Sequence, residues 1–100
     1  MRLLALLLLL ALPAQAQETE DALPPGEGRS ETFGYCTPCH NSTVILRTRL
    51  TRPQWDALMD WMTEKHGMPP LEGELRTTIV DYLARTLAPA GRGGRNPFLQ

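Results

Sequence analysis

The spacing of the two cysteines limits most strongly how this chain can fold. Cys36 and Cys39, three positions apart, are the only cysteines in a sequence of 100 residues. A disulfide across so short a loop would remove little entropy from the unfolded chain. Domains of this size bury a modest fraction of their surface, and they commonly need disulfides, a metal or a cofactor. We therefore expect a bound group, rather than cross-linking, to complete the core.

The N-terminus carries the pattern of a secretory signal peptide. Arg2 precedes an apolar run over positions 3–12, and Ala-Gln-Ala at 14–16 forms an A-x-A cleavage site before Gln17. The run is shorter than the roughly 20 residues that span a bilayer, so an uncleaved anchor is the weaker alternative. The sequence predicts a signal peptide over 1–16, export to the periplasm, and a mature chain without a membrane span.

Composition along the chain predicts one small domain with unstructured ends. Ten Lys and Arg against eleven Asp and Glu give a formal net charge of −1, whereas a nucleic-acid-binding domain of this size presents a strongly basic face. Residues 17–28 are rich in Pro, Glu and Gly, and we predict a flexible lead-in with little to bury. Residues 89–100 are predicted to be a disordered Gly/Arg/Pro tail. The domain is then expected over residues 29–88.

Two segments carry clear helical patterns. Thr51 and Gln54 have capping-box spacing and Gly67 provides a stop, which predicts a helix between Thr51 and Gly67. Its apolar residues recur at three- and four-residue steps and form one stripe. The stripe consists of Trp55, Leu58, Met59 and Met62. A second helix is predicted over about 72–87, ended by Pro89. Its apolar stripe consists of Leu75, Ile79, Tyr82, Leu83 and Leu87.

The segments before these helices are less regular. Ser30 is a candidate N-cap for a short helix that leads into the cysteines. Residues 41–51 fit strand and helix templates about equally, and we expect a turn with some helix. Together the segments predict an all-α fold.

Cys36-Thr37-Pro38-Cys39-His40 is the motif that carries chemistry. C-x-x-C-H in an exported chain is typical of covalent c-type haem attachment. Each thiol can form a thioether to one vinyl group of the porphyrin, and the adjacent His40 can reach the iron as its proximal ligand. The haem would supply the large apolar body that the core lacks.

Two other chemistries would use the same residues. A redox pair of the thioredoxin type would be accompanied by a βαβ pattern, which this sequence does not offer. A structural zinc site would have to recruit His66 to complete a Cys₂His₂ set with Cys36, Cys39 and His40. That arrangement is awkward because two adjacent residues, Cys39 and His40, would bind the same ion.

The region from Phe33 to Leu87 resembles small monohaem c-type cytochromes of class I. The resemblance rests on C-x-x-C-H, a methionine-bearing middle segment, and a final helix with a Tyr-Leu pair. More narrowly, W-x₆-M, a glycine and a helix ending in Y-L resemble the short cytochrome domains that accompany periplasmic dehydrogenases, including sulfite dehydrogenases. The residues of this second pattern are Trp55, Met62, Gly67, Tyr82 and Leu83.

This resemblance implies both a fold and a function. The fold is a cytochrome c fold, with three main helices around one covalently attached haem. The function is one-electron transfer rather than enzymatic turnover. A dehydrogenase would be the donor, and another cytochrome or an oxidase would be the acceptor.

The ligand opposite His40 stays open. The dehydrogenase-associated pattern implies Met62, our first choice, which also lies on the apolar stripe. Class I cytochromes place a methionine in a Met-Pro turn before the last helix, and Met68 matches that position. Met59 ranks third, and His66 is a further alternative as a second imidazole. If none of these coordinates, an open sixth position would allow ligand binding or peroxide chemistry.

Aromatic and basic side chains have secondary roles in this interpretation. Trp55 and Tyr35 are predicted to pack against the haem, with the ring N–H of Trp55 as an alternative partner for a propionate. Phe33 is expected at the haem edge or against the last helix. Three nearby arginines form either a solvated surface or a partner for propionates or an acidic protein face. They are Arg47, Arg49 and Arg52.

Overall fold

The computed structural model describes residues 17–90, which fold into four α-helices and one 3₁₀ helix. The α-helices are α1 (Arg29–Cys36), α2 (Ser42–Arg47), α3 (Arg52–His66) and α4 (Gly73–Thr86), and the 3₁₀ helix is Glu20–Ala22. The described residues contain no strand, so the all-α prediction is confirmed at this level. The predicted signal peptide and residues 91–100 of the predicted tail lie outside the described residues.

Helix α3 begins and ends where the local signals predict. The Gln54 amide donates to Thr51 Oγ1 at 3.4 Å, and the Thr51 amide donates to Gln54 Oε1 at 3.0 Å. This reciprocal pair satisfies two of the amides that a helix start leaves without partners. Gly67 follows the helix in the left-handed conformation, at φ +71°, where a side chain would cost steric strain. Both predicted ends are therefore confirmed.

Helix α4 is the centre of the packing because it contacts both α1 and α3. Most of its predicted stripe is buried, and Leu75 is half-buried. Val80 lies off that stripe and is buried as well. Neighbours on two sides widen the buried face of α4 beyond a single stripe. The hydrophobic core consists of Leu23, Ile45, Trp55, Met59, Leu71, Ile79, Val80, Tyr82, Leu83 and Leu87.

Helix α1 starts at Arg29, two residues earlier than an N-cap at Ser30 would allow. Gly28 is the N-cap, at φ +94°, and the Ser30 hydroxyl instead donates to the Glu20 carboxylate at 2.5 Å. A Cβ atom at Gly28 would lie 2.8 Å from both the Thr78 carbonyl oxygen and Tyr82 Cβ. The absence of a side chain at this position therefore allows the start of α1 to approach α4 closely.

The undecided segment 41–51 contains the short helix α2. Asn41 Oδ1 accepts a hydrogen bond from the Val44 amide at 3.1 Å, which makes Asn41 the N-cap. Ile45 turns inward and is 6% exposed. The described residues thus hold four α-helices, where the sequence predicts three main ones.

The prediction that residues 17–28 have little to bury is wrong. Leu23 is 2% exposed and belongs to the hydrophobic core. The Tyr82 hydroxyl donates to the Pro24 carbonyl at 2.5 Å, and Arg85 donates to the Glu27 carbonyl at 2.9 Å. One leucine and two backbone acceptors are enough to hold a Pro- and Glu-rich segment against α4, although its composition suggests otherwise.

Arg76 joins α3 to α4 on the polar side of the pair. Its guanidinium forms ion pairs with Asp56 and Asp60, each at 2.8 Å. It also donates to the backbone carbonyls of Asp56 and Leu71, at 2.8 and 3.1 Å. The hydrogen bonds to the Asp60 and Asp56 carboxylates raise the pKa of Arg76, and hydrogen bonding to Arg76 is the main cause that lowers the pKa of Asp60.

Within residues 17–90, none of the helices has both the length and the apolar character that are needed to span a membrane.

Candidate cofactor site

The C-x-x-C-H motif lies at the end of α1 and in the turn that follows. Cys36 is the last residue of α1, and the His40 amide donates to its carbonyl at 3.2 Å. Both cysteines are free, with Cys36 half-buried and Cys39 exposed. Burial raises the pKa of the Cys36 thiol to about 11. A thiol with so high a pKa stays protonated at neutral pH, whereas redox-active C-x-x-C pairs rely on a thiolate with a lowered pKa.

Beside the motif, α1, α2 and α3 enclose an apolar space that we call the cleft. Its cavity volume is about 100 Å³, which is smaller than the roughly 300–1,000 Å³ typical of cofactor and ligand pockets. The cleft is lined by Tyr35, Cys36, Cys39, His40, Val44, Ile45, Thr48, Trp55, Leu58, Met59, Met62, His66, Met68 and Leu83. The structure therefore brings together every cofactor-binding and ligand residue that the sequence predicts.

His40 provides the test of whether a cofactor fits the cleft. Its Nε2 atom is buried and has no hydrogen-bond partner among residues 17–90. A buried polar atom left unpaired costs about 1–3 kcal/mol, and a neutral imidazole nitrogen is the commonest metal ligand in proteins. A group that presents iron to this nitrogen would remove the penalty, so the donor set fits a haem.

The four candidate distal ligands share one wall of the cleft. Met59 is 3% exposed and belongs to the hydrophobic core, whereas Met62 and Met68 are half-buried and His66 is exposed. The Met68 amide donates to the Met62 carbonyl at 3.1 Å across the Gly67 cap. The helix end therefore brings the two preferred methionines into the same corner, although six positions separate them.

Trp55 lines the cleft, but its ring N–H is already engaged. Trp55 Nε1 donates to the Leu87 carbonyl at 3.1 Å, and this bond is buried. In this structure the N–H is therefore not free to hold a propionate. Tyr35 is half-buried in the cleft wall, and Phe33 is partly buried against the hydrophobic core.

The three clustered arginines lie outside the cleft lining and are exposed. Arg52 forms an ion pair with Asp81, and Arg49 donates to the Ala88 carbonyl at 3.4 Å. These two side chains point to different partners on and after α4. The cluster Arg47, Arg49 and Arg52 therefore does not act as one cationic patch over the cleft.

A zinc site does not form in the part of the chain that the structure describes. Among residues 17–90, no three His, Cys, Asp or Glu side chains are arranged to hold a metal ion. Cys36, Cys39, His40 and His66 all border the cleft, yet they do not make the Cys₂His₂ set that the zinc alternative needs. Covalent attachment through the cysteines with axial ligation by His40 requires no such cluster.

Sequence reasoning missed the wall that α2 contributes. Val44, Ile45 and Thr48 line the cleft, but a six-residue helix is too short for its periodicity to be recognised. Two signals for this helix were available in the sequence: Asn41 as an N-cap, and the apolar residues Val44, Ile45 and Leu46.

The chain matches no family model, no curated protein and no solved structure.

Proposed function

We propose that this protein is a periplasmic monohaem c-type cytochrome, with a cytochrome c fold, that carries single electrons from a dehydrogenase to another cytochrome or an oxidase. The carrying observation is His40 Nε2, which is buried and unpaired beside the cleft. A haem bound here would supply reversible one-electron oxidation and reduction. The remaining contributions come from the side chains around it.

The cysteines act as anchors. Cys36 lies on α1 and Cys39 lies in the turn, so the two attachment points belong to different local structures. Each thiol would hold one vinyl group of the haem through a thioether bond. Two covalent bonds prevent loss of the cofactor outside the cell, where a dissociated group would be diluted.

The apolar walls exclude water and set the environment of the metal. Trp55, Ile45 and Leu83 are each at most 6% exposed and form the inner lining. An apolar shell of this kind raises the reduction potential because it disfavours the extra charge of the oxidised state. A thioether from Met62 or Met68 acts in the same direction.

The attachment is tested by expressing the full chain together with a c-type haem maturation system. The wild type should keep its pigment in acidified organic solvent, and its mass should exceed that of the polypeptide by one haem. The double variant Cys36→Ala/Cys39→Ala should lose all covalent haem, and Pro38→Ala, a change inside the same motif, should retain it. A colourless wild type, or pigment that the solvent extracts, contradicts the proposal.

The distal ligand is tested by two matched substitutions, Met62→Ala and Met68→Ala. We expect the weak charge-transfer band of sulfur-ligated ferric haem, at the red edge of the visible spectrum, to disappear in Met62→Ala and to persist in Met68→Ala. The opposite pattern assigns the ligand to Met68. If neither variant alters the spectrum and the reduced wild type binds carbon monoxide rapidly, the sixth position is open, and ligand binding or peroxide chemistry replaces electron transfer as the function.

A further inference from the structure

We infer that residues 17–28 form a strap that belongs to the cofactor domain, and that Glu18 is a positioning residue that holds the α2 wall of the cleft in place. The inference rests on the proposed function for the identity of the cofactor. The contact itself is a property of the polypeptide and can be tested separately.

The end of the strap binds the start of α2. The Glu18 carboxylate accepts hydrogen bonds from the Ser42 amide at 3.2 and 3.3 Å and from the Ser42 hydroxyl at 2.5 Å. Ser42 is 5% exposed, so its two donors are removed from bulk water. A buried donor without a partner is costly, and hydrogen bonds to a charged acceptor are stronger than neutral ones. Glu18 thus supplies the hydrogen-bond acceptor for the buried amide and hydroxyl of Ser42.

The other end of the strap is fixed to α4. Leu23 is buried in the core, and the carbonyls of Pro24 and Glu27 accept from Tyr82 and Arg85. These anchors hold the strap on the part of the molecule where α4 packs against α1. Because the strap is fixed to α4, the hydrogen bonds from Ser42 to Glu18 restrain the start of α2, which is distant from Glu18 in sequence.

Helix α2 needs such support because it is short. Six residues are far below the length at which a helix is stable by itself in water. The helix starts two residues after His40 and supplies Val44 and Ile45 to the cleft. A negative charge at its first turn is also favourable to the helix dipole. Without Glu18, we expect α2 to open more often and to expose the cleft from that side.

The first readout is amide hydrogen exchange in α2, which does not depend on the cofactor. Glu18→Ala should accelerate exchange at Val44 and Ile45 by roughly tenfold, the loss expected for hydrogen bonds to a charged group. Glu18→Gln keeps an acceptor oxygen and should restore much of the protection. Glu27→Ala is the matched control, because Glu27 contacts Arg85 through its backbone carbonyl and not its side chain. It should leave exchange unchanged.

The second readout is the rate at which imidazole binds to the ferric holoprotein, measured well below the melting temperature. Glu18→Ala should bind imidazole several times faster than wild type, while covalent haem content stays the same. Unchanged exchange in Glu18→Ala overturns the strap contact. Faster exchange with an unchanged imidazole rate shows that Glu18 only stabilises the fold, and it overturns the positioning role. A wild type without covalent haem overturns the proposed function and the positioning role with it, and the exchange data then still decide whether Glu18 holds α2.

Discussion

Two regions of this small protein are built in different ways. The first region, which we call the frame, consists of α4 and the two helices that pack against it, α1 and α3. Tyr82, Ile79 and Leu83 of the frame are 0% exposed. The cleft region is made of the C-x-x-C-H turn, α2 and the inner face of α3. It combines buried side chains such as Trp55 and Ile45 with exposed ones such as Cys39 and Val44 around an apolar space. Within residues 17–90 the frame leaves one buried side-chain polar atom unpaired, Thr32 Oγ1, whereas the buried ring N–H of Trp55 is paired with the Leu87 carbonyl.

If the cleft binds a cofactor, as we propose, the two regions should depend on it to different degrees. In the cleft region an imidazole nitrogen stays buried and unpaired, and the buried thiol of Cys36 has a raised pKa. An unpaired buried polar atom such as this nitrogen costs free energy unless a ligand engages it, whereas a protonated thiol is only weakly polar. We therefore expect the frame to fold with or without cofactor, and the cleft region to gain most from binding it. The predictions below compare the two regions.

The largest effect is expected from Gly28→Ala in the frame. The new Cβ would meet the Thr78 carbonyl and Tyr82 at 2.8 Å, and the residue would keep a positive φ. Overpacking together with left-handed strain should lower the free energy of unfolding by about 2–4 kcal/mol. Gly67→Ala is the control, since it shares the positive φ but meets open space, and it should cost about 1 kcal/mol. Chemical denaturation measures both values, and equal losses would show that α1 and α4 are not in close contact.

A smaller effect is expected at the junction of the two regions, from Trp55→Phe. The substitution removes the bond to the Leu87 carbonyl and leaves a small void, but that carbonyl keeps the Leu50 amide as a donor at 3.2 Å. We expect a loss of about 1–2 kcal/mol. Trp61→Phe, at a side chain that is 51% exposed, should change stability by less than about 0.5 kcal/mol. Similar values for the two variants, measured by thermal unfolding, would argue against a buried role for Trp55.

Arg76→Lys should weaken the polar side of the frame by about 1 kcal/mol. A lysine keeps the charge but cannot reach two carboxylates and two carbonyls at once, as the guanidinium does. Arg52→Lys, which alters the exposed pair with Asp81, is the control and should cost less. Urea titration of both variants measures the difference. A larger loss of stability in Arg52→Lys than in Arg76→Lys would contradict the role of Arg76 in joining α3 to α4.

The smallest effect is a pH dependence that originates at Asp60. Its pKa is lowered in the folded protein, mainly by the hydrogen bond from Arg76. Such a carboxylate adds stability above its ordinary pKa, and this contribution is lost as the pH falls through the folded value. Asp60→Asn should therefore flatten the acid side of the stability profile and converge with wild type at low pH. In an Arg76→Met background, Asp60→Asn should leave the acid side of the stability profile unchanged. If Asp60→Asn still flattens the profile in that background, the pH dependence does not originate in the pair of Asp60 and Arg76.

Local signals were sufficient for two of the four α-helices, and they indicated several of the residues that line the cleft. Thr51, Gln54 and Gly67 define α3 through contacts with near neighbours, so sequence alone predicts them. The cleft brings together Cys36, Cys39, His40, Met62, Met68, Trp55 and Tyr35, which motif and stripe had indicated. Haem attachment and the choice between Met62 and Met68 stay predictions. The failures, at Ser30 and Leu23, involve side chains whose partners are distant in sequence or belong to no periodic pattern.

The amino-acid sequence by itself determined the caps of α3, the apolar stripes of α3 and α4, and the reactive pentapeptide, because each depends on residues within a few positions of one another. Only the tertiary structure decided that Glu18 binds Ser42, that Tyr82 binds Pro24, and that His40 Nε2 is buried without a partner. Pairs separated by 24 and 58 positions form when the helices have packed, and no local pattern encodes which donor will meet which acceptor.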